Sequence, residues 1–124
     1  QRWQRIAEEA AKQCRRPDVP EIAAPRLLPD LLTEWTALEA RKFMLYEHAT
    51  LGLPIAAIAP MTQGQTAAPC LVLIGLEGGF TEVEAELAAQ AGFSAFCLGP
   101  LILRSETAAI VALGLVRFLR GDLE

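Results

Sequence analysis

The chain has 124 residues, 52% of them hydrophobic, with 15 acidic against 11 basic side chains and a formal net charge of −4. That suffices for one domain with its own core, and no apolar run reaches the roughly 18 residues of a membrane span. No secretory pattern is seen, a cytoplasmic protein is expected, and the acidic balance argues weakly against a nucleic-acid partner, since phosphate binding wants a basic surface.

Residues 2–14 read as an amphipathic helix, with Trp3, Ile6, Ala7, Ala10, Ala11 and Cys14 on one stripe. Pro17 and Pro20 end it, and the segment from Pro20 to Pro29 reads as extended or looped. Six of the 11 basic residues fall within this first stretch: Arg2, Arg5, Lys12, Arg15, Arg16 and Arg26. Composition alone reads them as a solvated helix face and its exit loop. Leu31 to Ala40 reads as a second helix with Asp30 as N-cap.

Phe43 to Tyr46 suits a buried strand, and residues 50–69 read as loop, with Leu53–Ala59 either a short strand or a packed loop. Cys70–Ile74 is a strand. Thr81–Ala91 is a helix opened by Thr81 and Glu84 at capping-box spacing. Ala95–Leu98 is a further strand, and Ser105 to Arg120 a last helix, with Ser105 as N-cap and Gly121 at its end. Strands that are continuous apolar runs alternating with helices predict an α/β domain: a parallel sheet with helices on both faces. The last helix carries Ile110, Val111, Leu113, Leu115, Val116, Phe118 and Leu119 and is apolar nearly all round. Burial is therefore expected, one face on the sheet and the other on a second subunit.

Cys14, Cys70 and Cys97 sit among apolar neighbours at no metal-ligand spacing, so buried thiols and no metal are expected. Two segments are better placed for chemistry. Ile74-Gly-Leu-Glu-Gly-Gly79 follows a strand, and its glycines allow positive φ and close backbone approach to a ligand. It matches neither a Walker A loop nor GxGxxG, and in isolation a tight turn that binds nothing explains it as well. Leu98-Gly-Pro100 follows the next strand. In an open parallel sheet, ligands sit outside the carboxyl ends of the strands, so both loops would share one edge. Arg104 and Glu106 fall near it, at the start of the last helix; a cation there suits an anionic partner, while Glu106 suits the helix dipole. Glu47 and His48 end the first strand on the same side, but no Ser-His-Asp set, metal cluster or close carboxylate pair emerges.

The wording of these loops carries more than their spacing. Ile74-Gly-Leu-Glu-Gly-Gly-Phe80 followed by Leu98-Gly-Pro-Leu-Ile-Leu-Arg-Ser-Glu-Thr-Ala108 strongly resembles the RsmE family of ribosomal RNA methyltransferases, in the SPOUT superfamily. The opening is also similar to that family: Arg2-Trp3, Ile6-Ala7, Ala10-Ala11, Gln13-Cys-Arg15 and Val19-Pro-Glu-Ile22. Leu76 stands where the usual pattern has proline, and Leu101 where it has arginine.

The resemblance implies a SPOUT domain with a deep trefoil knot in its C-terminal part. It implies methyl transfer from S-adenosylmethionine to N3 of a uridine in 16S rRNA of the small ribosomal subunit, by a homodimer joined through the C-terminal helix. By position the cofactor would touch Gly75, Leu76, Glu77 and Gly78, then Leu98, Gly99, Ile102, Leu103 and Arg104. Arg104 would stabilise the deprotonated uridine or hold a phosphate, with Glu106 positioning it. The chain would be an N-terminally truncated SPOUT domain over residues 1–124, lacking the PUA-like domain and the first strand and helix usual in the family. Two other readings stand beside this one: a SPOUT methyltransferase for another RNA, and a catalytically inactive fragment that dimerises or holds the cofactor.

Overall fold

A computed structural model describes residues 1–46, 53–54, 69–76, 79–97 and 104–119. In chain order the elements are α1 (Arg2–Gln13), α2 (Leu28–Thr36), β1 (Arg41–Leu45), β2 (Leu53–Pro54), β3 (Cys70–Leu73), α3 (Glu82–Gln90), β4 (Ser94–Cys97) and α4 (Ser105–Leu119). The four strands form one sheet in the order β2-β4-β1-β3, and every pair is parallel. Phe43 lies opposite Val72 on one side and Ser94 on the other, so β1 is an interior strand. So is β4, which comes after β1 and β2 in the chain yet lies between them.

Strand side chains alternate between two faces, and each face has its own core. On one, Met44, Tyr46 and Phe93 pack with Leu32 of α2 and with Ala85, Ala88 and Ala91 of α3 and its end. Trp35 and Phe93 meet at a tilted 6.3 Å on this side. On the other, Phe43, Leu45 and Phe96 pack with Ala108 and Ala112 of α4, and Phe43 and Phe96 meet edge to face at 6.3 Å. Helices therefore cover both faces, as continuous apolar strands require.

Several boundaries move for identifiable reasons. The second helix begins at Leu28, with Leu27 extended at the N-cap, Pro29 in the first turn and Asp30 inside it. Proline is favoured there because its missing N–H is one the helix could not bond anyway, so Asp30 is a first-turn acid rather than the cap. The first strand begins two residues early, at Arg41, whose N–H donates to the Pro69 carbonyl at 2.9 Å. Lys42 then reaches past the sheet: its Nζ donates to the carbonyls of Ala91 at 3.1 Å and Thr36 at 3.4 Å, joining the carboxyl ends of α3 and α2. The third helix is capped as its sequence specifies, with Thr81 Oγ1 accepting from Glu84 N and Glu84 Oε1 accepting from Thr81 N. Ser105 is the first residue of α4 rather than its cap, and the Arg104 carbonyl accepts the Ala108 N–H at 2.7 Å. Gly121 lies outside the described residues, as do residues 55–59.

Burial departs most from expectation in the outer helices. Of the apolar stripe on α1 only Ala11 is buried; Trp3 and Ile6 are 66% and 53% exposed. On α4 the buried stripe is Ala108, Ala112 and Val116, whereas Ile110, Leu113 and Phe118 point out of the fold. One face of α4 packs on the sheet as expected; the other, expected against a second subunit, is uncovered in the single chain. Cys14 is exposed and Cys70 and Cys97 are half-buried, so the expectation of buried thiols does not hold for Cys14 and holds only partly for the other two. Apolar neighbours in sequence did not mean apolar neighbours in space: Cys14 closes a helix whose apolar stripe is largely uncovered.

Candidate functional site

The four described strands are parallel, so their carboxyl ends lie on one edge, where the segment after β3 and the start of α4 meet. A small notch there is lined by Leu45 at the end of β1, Ile74, Gly75, Leu76 and Gly79 after β3, and Ser105 and Ala108 in the first turn of α4. The first glycine loop and the start of the last helix thus form one wall; the second glycine loop, expected on the same edge, lies outside the described residues.

The loop needs its glycines for two different reasons. Gly79 has φ +73°, and its N–H closes a turn onto the Leu76 carbonyl at 2.7 Å. A side chain there would find space but not a relaxed backbone. Gly75 has ordinary φ, but a Cβ on it would lie 3.2 Å from the Gly79 carbonyl carbon and 3.3 Å from the Phe80 ring. A side chain at Gly75 would therefore push the Gly79 backbone or the Phe80 ring aside by a few tenths of an ångström. Gly75, Leu76 and Gly79 of this loop line the notch. Leu76 at its tip is 86% exposed, an apolar side chain standing in solvent beside the notch.

Arg104 is exposed immediately before α4, and Glu106 is exposed in its first turn. Neither forms an ion pair with another described residue. The free N–H groups of the first turn of α4 face the same edge and favour negative charge there. Two lining residues escaped sequence reasoning: Leu45, assigned only to a buried strand, and Ala108, assigned only to a helix. Parallel pairing of β1 with β3 was the missing signal, because it brings Leu45 level with Ile74. Of the remaining site residues, Glu77, Gly78, Leu98, Gly99, Ile102 and Leu103 lie outside the described residues, as do Leu101, Glu47 and His48. Among the described residues no group of three or more His, Cys, Asp or Glu side chains is arranged to hold a metal, and no helix is long and apolar enough to cross a membrane.

Comparison with known proteins agrees with this geometry. A family model described as RNA methyltransferase domain matches residues 1–117. The chain is similar to the ribosomal RNA small subunit methyltransferase E of Bacillus subtilis, 32% identical over 98% of this chain and 49% of that protein. It is likewise similar to the enzyme of the same name from Mesomycoplasma hyopneumoniae, 37% identical over 90% of this chain and 45% of that protein. Among solved structures, the Neisseria gonorrhoeae ribosomal RNA small subunit methyltransferase E bound to S-adenosyl methionine superposes with a TM-score of 0.82. It is 30% identical over 99% of this chain and 48% of that one. The chain spans about half the length of the curated relatives it matches.

Proposed function

We propose, since this chain belongs to the RsmE family of RNA methyltransferases, that it is the S-adenosylmethionine-binding methyltransferase domain of an enzyme that methylates N3 of a uridine in 16S rRNA of the small ribosomal subunit. The observation that carries this is the notch where Gly75, Leu76 and Gly79 meet Ser105 and Ala108 at the carboxyl edge of a parallel sheet. The described notch encloses only about 10 Å³, room for one edge of the cofactor, and its lining is chemically compatible with that edge. Apolar Leu45 and Ile74 suit a purine face, while the Ser105 hydroxyl and the glycine main chain suit ribose and amino-acid polar groups. The residues that would hold it are Gly75, Leu76, Glu77 and Gly78 in the first loop and Leu98, Gly99, Ile102, Leu103 and Arg104 in the second.

When bound, the cofactor supplies a methyl carbon on a sulfonium centre. The chain must present an N3 that has lost its proton, because a protonated imide nitrogen has no lone pair free to attack. Arg104 stabilises the negative charge that this loss spreads over N3 and the flanking carbonyl oxygens, and the first-turn N–H groups of α4 add to the same field. Glu106, two residues further on, would orient the Arg104 guanidinium once substrate is bound; the two form no ion pair in the free chain. The rest of the reading concerns assembly. In this reading residues 1–124 are one SPOUT domain with a deep trefoil knot in its C-terminal part, and the place of β4 between the earlier β1 and β2 supports that without requiring it. A homodimer would cover α4, where Ile110, Leu113 and Phe118 are 74%, 60% and 64% exposed.

Transfer of labelled methyl to small ribosomal subunits by the full-length protein tests the reading. Product carrying N3-methyluridine is expected, and Arg104→Ala should lower the rate about 100-fold or more, in the range of losing one charge-stabilising donor. Methylation at another position, or full activity in Arg104→Ala, would refute the assignment of substrate or of Arg104 respectively.

A further inference from the structure

Charge is distributed unevenly along this acidic chain. Residues 1–26 carry six basic and four acidic side chains, a net +2, while residues 27–124 carry five basic and eleven acidic, a net −6. The positive end has a focus at the exit of α1, where Lys12, Arg15 and Arg16 follow one another within five positions and all three are exposed. The side chains of Lys12 and Arg15 form no ion pair with any described residue. Arg16 is held loosely, with Nη2 3.3 Å from both carboxylate oxygens of Asp18.

The backbone at this point is unusual. Arg15 is the one non-glycine residue with positive φ among the described residues, at 61°. It occupies the left-handed position just past the end of α1, where the Arg16 N–H donates back to the Ala11 carbonyl at 2.9 Å and the Arg15 N–H to the Lys12 carbonyl at 3.3 Å. That closure of a helix end is normally made by glycine, which has no Cβ to strain. A bulky cation at such a position weakens the fold, so stability does not explain it. A cation near a helix carboxyl end does interact favourably with the dipole, but Lys12 already supplies one in the last turn without strain. The strained position aims a guanidinium outward beside two other cations, an arrangement suited to the phosphates of a polyanion.

We propose that the exit of α1, with Arg15 at its centre and Lys12 and Arg16 beside it, is a docking surface for the phosphate backbone of the RNA substrate. This rests on the reading of the chain as an RNA methyltransferase domain, and it names a surface separate from the carboxyl-edge notch.

Arg15→Gly tests it, because the two accounts of Arg15 predict opposite signs. Binding of a uridine-containing oligoribonucleotide to the chain would be measured across a salt series, with the urea midpoint and S-adenosylmethionine binding measured on the same samples. The docking account expects an unchanged or higher urea midpoint, unchanged cofactor affinity, RNA affinity down about fivefold near 0.1 M salt, and a salt slope smaller by about 0.7. Lys12→Gln, which leaves the backbone alone, should show the same loss of RNA affinity, while Arg26→Gln, paired elsewhere with Glu34, should not. Equal RNA affinity and slope in Arg15→Gly and the parent chain would overturn the proposal, as would a parent chain that binds no RNA. S-adenosylmethionine binding then judges the methyltransferase reading separately.

Discussion

Helices α3 and α4 cover opposite faces of the same sheet in the same way and differ in how apolar their outer sides are. Each turns alanines inward against large strand residues: Ala85 and Ala88 against Met44 and Tyr46, Ala108 and Ala112 against Phe43, Leu45 and Phe96. Small on large lets a helix axis approach the sheet closely while the strands supply the buried area. Outward, α3 mixes Glu82, Glu86 and Gln90 with exposed Val83 and Leu87, whereas α4 shows the larger apolar set Ile110, Val111, Leu113 and Phe118. The inner packing therefore builds the monomer fold on both faces, and the outer surface separates a helix that ends in water from one suited to a partner. The ends differ too. A capping box opens α3 and Lys42 closes it, while α4 opens onto the notch with Arg104 as its preceding residue.

The shared inner packing breaks most severely at its largest buried side chains. Phe96→Ala should cost about 3–5 kcal/mol by urea denaturation, since Phe96 is fully buried on the interior strand beneath α4. Overpacking each helix tests whether the two alanine stripes are equivalent. Ala88→Leu and Ala112→Leu, both at fully buried positions, should each cost about 1–3 kcal/mol, and a near-neutral result for either would show that its helix has room to move outward. Removing the cap of α3 with Thr81→Ala should cost about 1 kcal/mol, because Glu84 loses its N–H acceptor at the helix start. Smallest in stability but decisive for the outer surfaces is a pair of charge insertions. Leu113→Lys on α4 should change the monomer's stability by less than about 0.5 kcal/mol yet abolish the proposed self-association in sedimentation velocity, while Val83→Lys on α3, 67% exposed, should change neither.

Much of this was legible because local signals and global fold agree. The capping box at Thr81 and Glu84 depends only on neighbours in sequence, and it is present as written. The strands at Phe43 and Cys70 announced themselves as apolar runs too short for helices. Reading failed where a decision depended on what lies across space. The apolar stripe of α1 and the outer face of α4 look like core in sequence, and periodicity cannot say whether a second layer is present to cover them. Leu45 belongs to the notch only because β1 pairs in parallel with β3, a register no local pattern encodes. The family wording of the two loops carried the cofactor further than their geometry would have done, since a glycine turn after a strand fits several ligands equally well.

The central claim is that the carboxyl-edge notch is a cofactor site, and calorimetric titration of the chain with S-adenosylmethionine tests it most directly. Saturable binding is predicted, together with its loss in Gly75→Val, whose side chain would collide with the Gly79 backbone and the Phe80 ring and so spread the loop. Absence of heat at millimolar S-adenosylmethionine, or equal binding by a folded Gly75→Val variant, would contradict it.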